Sequence, residues 1–337
     1  MVGRPLLLTM GDPAGIGGDV ALAAWAARDT APVPPFALID DAARLRALAA
    51  RLGLDVPVRE IAAPAEATAV FPAALPVLPL ATPLGAPVTP GQPDAANAAA
   101  TVDAIAQAVA LVQAGAAAVV TNPINKQVLH AAGFPHPGHT EYLAALAGED
   151  VVPVMMLACA ELRVVPVTIH VSLREAAATL SAEAIVTCGR ITAAALRERW
   201  GIAAPRLAVA GLNPHAGEGG DMGREEIDII APAIARLRAE GIAVEGPAPA
   251  DTLFHPEARA RYDAALCMYH DQALIPIKTI DFHGGVNVTL GLPFVRTSPD
   301  HGTAYGLAGT GKANASSLRA ALRMAAAMTA SLPSDAP

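Results

Sequence analysis

Along the chain, short runs of apolar residues alternate with longer Ala-rich stretches whose apolar positions recur at helical spacing. Residues 6–10, 36–39, 116–120, 164–169, 207–210 and 264–268 read as buried strands, and residues 94–114, 181–200, 224–240 and 316–331 as helices. Strand and helix in alternation predict an α/β fold with a largely parallel sheet. Ligands of such sheets collect beyond the carboxyl ends of the strands. Three histidines stand at predicted strand ends: His170 after 164–169, His215 a short loop after 207–210, and His270 after 264–269.

Three imidazoles from three strand ends suit one divalent metal with coordination positions left open for substrate, the arrangement of a catalytic site. A histidine taken singly is more often a surface or hydrogen-bonded residue. Here the polar company of Asn213, Glu218, Asp221 and Asp271 favours a site. The loop GDPAGIGG at 11–18 leads from the first strand into a helix, so its amides face either an anion or nothing more than a tight turn, and Asp12 either a ligand or that turn. Lys278 and Arg296 suit carboxylate or phosphate recognition, with a solvated charge as the alternative for each. GHTE at 138–141 opens a helix where a Thr cap and exposed amides favour an anion as much as simple capping. The glycine-rich run 298–314 suits backbone lying close to a flat ligand, or an empty loop.

At 337 residues the chain is long enough for two packed lobes with a cleft. A net charge of -8 with Lys and Arg scattered argues against nucleic acid as a partner. The mean hydropathy of +0.40 owes much to Ala. Residues 67–93 carry no charge, but Pro72, Pro76, Pro79, Pro83, Pro87, Pro90 and Pro93 argue against a membrane helix and predict an extended, surface-hugging connection. The apolar run 6–10 is too short for a signal peptide, so a cytoplasmic protein is expected. Cys159, Cys188 and Cys267 form no CxxC pair and read as core filler in a reducing compartment.

The motifs TMGDPAGIG from Thr9, TNPINK from Thr121, GHTEYLA from Gly138, LNPHAGEGG from Leu212, PADTLF from Pro249, YHDQALIPIK from Tyr269 and NVTLGLPFVRTSPDHGTAYGLAGTGKA from Asn287 together resemble the 4-hydroxythreonine-4-phosphate dehydrogenase (PdxA) family, over nearly the whole chain. The resemblance implies a two-lobed α/β fold like that of isocitrate and isopropylmalate dehydrogenases, with largely parallel sheets and an active-site cleft between the lobes. On that reading residues 1–125 with 300–337 form a cofactor-side lobe, and 126–299 a lobe for metal, substrate and dimerisation. It implies a homodimer whose site is shared: His170, His215 and His270 bind one divalent metal (Zn, Mg or Co), the third from the neighbouring subunit. It implies substrate contacts from His139, Thr140, Lys278, Asn287 and Arg296, and NAD or NADP held at Gly302, Ala308, Gly309 and Asn314. Lys278 and Asp251 are the candidates for proton transfer.

The activity implied is oxidation of 4-hydroxythreonine 4-phosphate, then decarboxylation to 3-amino-2-oxopropyl phosphate, in vitamin B6 biosynthesis. A sister dehydrogenase for 4-phospho-D-threonate, D-erythronate or a diol acid is the nearest alternative. A three-histidine metal hydrolase or aldolase, or a ligand-binding protein without catalysis, belongs to other classes. Two positions depart from the family: Gly18-Asp19 replaces Pro-Glu, and Gly306 stands where an acid is frequent. These put the role of that carboxylate and one adenosine contact in doubt.

Overall fold

The structure, a computed structural model, describes residues 4–331. Among them are twelve strands: β1 (Leu6–Thr9), β2 (Phe36–Ile39), β3 (Val58–Glu60), β4 (Leu75–Leu78), β5 (Ala118–Thr121), β6 (Val154–Ala158), β7 (Arg163–Pro166), β8 (Arg206–Ala210), β9 (Ala243–Ala248), β10 (Ala264–Cys267), β11 (Val286–Leu290) and β12 (Arg296–Pro299). They belong to two compact units, residues 4–153 with Leu292–Ala330, and Val154–Gly291.

In the first unit the strand order is β3-β4-β2-β1-β5-β12 and every pairing is parallel. The helix Ala98–Gln113 lays Ala104, Ile105, Ala108, Val109 and Val112 against Leu7, Ile39 and Val119 of the sheet. An apolar face at helical spacing on one side of a parallel sheet is how such a unit removes its strands from water. Together with the turn before it, Ala95–Gln113 is the one segment among the described residues long and apolar enough to cross a membrane, and this core already occupies its inner face. The expectation of a surface connection over 67–93 is corrected here: Leu75–Leu78 is wholly buried as β4, between β2 and β3. Four residues suffice for a strand once both neighbours are in place, and the prolines fall mostly in the turns that follow.

In the second unit the order is β11-β6-β7-β10-β8-β9. β7, β10, β8 and β9 run parallel, whereas β6 is antiparallel to both β11 and β7. The helix Ala182–Trp200 is started by Ser181, whose side chain accepts from the Ala184 amide, and stopped by Gly201 in the left-handed region.

The chain passes from one compact unit to the other at 153/154 and 291/292. The helix His139–Ala147 buries Leu143 and Ala144 in the first unit's core, and β12 pairs with β5. His139, Thr140 and Arg296 are thereby residues of the first unit.

Candidate active site

His170 does not end a strand. β7 stops at Pro166, and the chain runs on beside the end of β10, with the Val167 amide donating to the Cys267 carbonyl at 2.8 Å and the Thr168 hydroxyl to the Met268 carbonyl at 2.8 Å. His270 is the first residue of the helix His270–Ile280 just past β10. The parallel pairing carries the two rings to 5.9 Å between centroids. His270 Nδ1 shares a 2.7 Å hydrogen bond with Asp271, so Nε2 is the nitrogen presented outward.

His215 is held differently. It opens a run in which His215, Ala216, Gly217, Glu218 and Gly219 all have φ between 43° and 77°. Left-handed residues cost about 1–2 kcal/mol each when they carry a Cβ, and a sustained run survives only where the surroundings over-determine it. Glu226 supplies much of that constraint: buried on the π-helical turn Glu226–Ile230, it accepts from the Asn213 amide at 2.7 Å and the Asn213 side chain at 2.9 Å. A Cβ on Gly217 would lie 2.6 Å from Glu226 Oε2. Gln272 then ties this turn to the His270 segment, accepting from the Met268 amide at 2.6 Å and donating to the Gly211 carbonyl at 2.7 Å.

His215 Nδ1 bonds Glu218 at 3.0 Å, and this partner raises the pKa of the ring above its usual 6.5. Among the described residues, no three His, Cys, Asp or Glu side chains gather as a metal cage: His170 and His270 come together, and His215 does not join them. The donor chemistry nonetheless fits a divalent ion, because a carboxylate on Nδ1 of His215 and of His270 orients each ring with Nε2 toward a ligand position.

Of the other expected residues in this unit, Asp251 sits in the turn Ala250–Thr252 and its charge acts on His215. Lys278 lies in the last turn of His270–Ile280 with its ammonium 5.4 Å from the Phe282 ring. Asn287 is half-buried in β11, opposite Leu157.

In the first unit Arg296 opens β12, 4% exposed, and donates to Thr121 Oγ1 at 2.6 Å. Burial brings its pKa down to about 10, which still leaves it charged at neutral pH. His139 begins its helix after Gly138, with Nε2 shut from solvent and without a hydrogen-bond partner. Burial first, then the charges of Arg296 and Lys126, hold this imidazole well below 6.5 and therefore neutral. Thr140 follows, half-buried. Lys126 was not among the expected ligands, although it ends the TNPINK motif.

The two glycine-rich loops of this unit are bonded into one body. Tyr305 donates to Asp12 Oδ2 at 2.7 Å, Asp12 Oδ1 accepts from the Ala14 amide, and the Ile16 amide donates to the Thr303 carbonyl. Asp12 is thus both the turn residue and a bridge. The short arm of Asp19 still reaches: its Oδ1 accepts from the Gly309 amide at 2.8 Å, while Arg51 donates to the Gly309 carbonyl at 3.1 Å. A Cβ on Gly309 would strike Arg51 and Pro90, whereas at Gly302 and Gly306 it would meet open space. Ala308 is buried, and Asn314 accepts from the Ser316 amide at the start of the last helix. Beside the loop lies a cavity of about 780 Å³ bounded by Asp19, Arg44, Arg51, Leu84 and Pro90.

The family described as pyridoxal phosphate biosynthetic protein PdxA matches residues 33–325. The 4-hydroxythreonine-4-phosphate dehydrogenase of Methylorubrum populi is 61% identical over 96% of this chain and 93% of its own length, and that of Bradyrhizobium diazoefficiens is 56% identical over 97% of each. The crystal structure of the enzyme of that name from Klebsiella pneumoniae aligns with a TM-score of 0.86 at 40% identity, covering 97% of this chain and 100% of its own. A terephthalate 1,2-cis-dihydrodiol dehydrogenase from Burkholderia xenovorans aligns with a TM-score of 0.65 at 30% identity over 96% and 98%. Both histidines of the close pair, His215, His139 and Arg296 all fall inside the matched span, and the chain belongs to the PdxA family.

Proposed function

We propose that this chain oxidises 4-hydroxythreonine 4-phosphate with NAD or NADP and that the product loses carbon dioxide to give 3-amino-2-oxopropyl phosphate, a step of pyridoxal 5'-phosphate synthesis in the cytoplasm. The observation that carries the reading is 61% identity with a relative of that name across nearly the whole chain. The three free, buried cysteines agree with a reducing compartment.

In this reading His170, His215 and His270 hold one divalent ion, zinc, magnesium or cobalt, which when bound acidifies the substrate's 3-hydroxyl and steadies the charge left as carbon dioxide departs. Lys278 or Asp251 takes the hydroxyl proton as the hydride on the same carbon passes to the nicotinamide, leaving a 3-keto acid and reduced cofactor. His139, Thr140, Asn287, Lys278 and Arg296 hold the substrate. The loop with Gly302, Ala308, Gly309 and Asn314 holds the cofactor, stiffened by Asp12, Asp19 and Arg51.

A homodimer suits Val171, Leu173, Ile275 and Phe282, which are 42–69% exposed around His170 and along the helix of His270. The shared site takes His270 from the neighbouring subunit. A second reading, in which His170 and His270 act within one chain, is favoured by their 5.9 Å separation. Mixing His170→Ala with His270→Ala protein decides between them: a shared site restores one intact site per heterodimer, and a single-chain site restores none. The diol dehydrogenase neighbour supports a sister substrate as the competing activity. Steady-state turnover of synthetic 4-hydroxythreonine 4-phosphate against 4-phospho-D-threonate, D-erythronate 4-phosphate and a diol acid tests the reading, which fails if another substrate has the higher kcat/KM.

A further inference from the structure

We infer that Lys126 is a substrate-binding residue: its ammonium completes, with Arg296 and His139, a subsite for the dianionic phosphate end of the substrate. The inference rests on the proposed function and deepens it. A Cβ on Gly138 would lie 2.9 Å from Lys126 Cε and 3.0 Å from its Nζ, which places the ammonium against the start of the helix that carries His139. A side chain at 138 would displace the lysine from this position. The position is electrostatically unfavourable by itself, since Lys126 is the first residue of its own short helix and abuts the opening of another, where partial positive charge gathers.

Arg296 is buried and charged in the same environment, and both cations act on the neutral His139. Glu141 Oε2 lies 3.3 Å from the same Gly138 point, so its carboxylate stands beside the Lys126 ammonium. His139 Nε2 is buried without a partner, and a buried ring nitrogen left unbonded is unfavourable unless a ligand serves it. A phosphate monoester suits these groups: it offers negative charge and several acceptor oxygens to Lys126 and Arg296, and a partner to the imidazole. A carboxylate supplies only half that charge, so this subsite favours the phosphate end.

The test is Lys126→Met and Lys126→Arg in steady-state kinetics with 4-hydroxythreonine 4-phosphate and NAD, with inorganic phosphate as a competing probe. A charge-assisted contact far from the reacting hydroxyl should act on binding alone. Lys126→Met is expected to raise KM about tenfold or more and weaken inhibition by phosphate in parallel, with kcat within about twofold, and Lys126→Arg to recover most of the loss. Lys126 is exposed, and the unfolding temperature of the variant without ligand should be unchanged. Arg296→Lys in the same assay separates two failures. If Arg296→Lys raises KM and Lys126→Met does not, the inference is overturned and the site reading stands. If neither changes KM, the site reading falls with it. A fall in kcat at constant KM also overturns the inference, because it would put Lys126 in the chemistry.

Discussion

The residues proposed to bind anions in the first unit and the histidines proposed to bind metal in the second are built on opposite principles. Arg296 is 4% exposed and His139 has its ring nitrogen sealed off, so both are fixed by the packing around them. The His215 side chain is 63% exposed and that of His270 34%. Their precision comes instead from backbone: a left-handed turn propped by Glu226, a helix start, and the Gln272 tie between them. A site sealed by packing is ready before ligand arrives, whereas one presented on an open surface is finished by what binds it, an ion or a second chain.

The largest effect that tests this contrast is on the open side. His170→Ala or His270→Ala should weaken Co²⁺ binding, read by its visible absorption, on the order of a hundredfold or more, with the unfolding temperature of the metal-free protein little changed. A metal affinity unchanged by both would remove these histidines from the site.

On the sealed side Arg296→Met should cost about 2–3 kcal/mol of substrate binding, up to about a hundredfold in KM, because a buried charged donor is lost. It should also lower the unfolding temperature, since Thr121 loses its partner. An effect on KM without one on stability would mean that Arg296 is less integral to the packing than the contrast requires.

Gly217→Ala probes the backbone device directly. The new Cβ meets both a φ of +77° and Glu226 at 2.6 Å, so a loss of about 1–3 kcal/mol in urea denaturation is expected, along with weaker Co²⁺ binding through His215. Gly219→Ala, left-handed but with nothing within 4 Å, should be milder.

The smallest effect is in pH dependence, where the two sides differ in sign. Folding lowers the proton affinity of His139, so its contribution is complete above about 6.5 and is lost as pH falls, by at most about 1.4 kcal/mol per pH unit. His215 is raised by Glu218, so its contribution is present below 6.5 and is lost as pH rises through the higher folded value. Urea denaturation at several pH values should show His139→Gln flattening the acid limb and Glu218→Gln flattening the neutral one. The same slope in both variants would contradict the assignment.

Much of this was legible in the chain. The apolar runs located β1, β2, β5, β8 and β10, and the Ala-rich helical pattern over 94–114 corresponds to Ala98–Gln113 with its preceding turn. β12 was not legible: Arg-Thr-Ser-Pro is polar and yet wholly buried, because it lies against β5 and under the last helix, where Thr297 donates to the Ala321 carbonyl. β4 was hidden by its prolines. The sequence leaves open whether the shorter carboxylate of Asp19 has a role, because whether it reaches Gly309 depends on how closely the two loops pack.

By itself, then, the sequence determined the α/β class, the family through its ungapped motifs, and the residue types that do chemistry. Each follows from local pattern or from identity of side chains, which one dimension records. Only the tertiary structure decided that His139, Thr140 and Arg296 share a unit, that Lys126 stands beside them, and that His170 approaches His270 while His215 is posed on a left-handed turn. Those outcomes depend on strand register, on where burial neutralises or preserves a charge, and on which strained backbone its neighbours can hold. They are sums over contacts between residues far apart in the chain, and no stretch of it carries them alone.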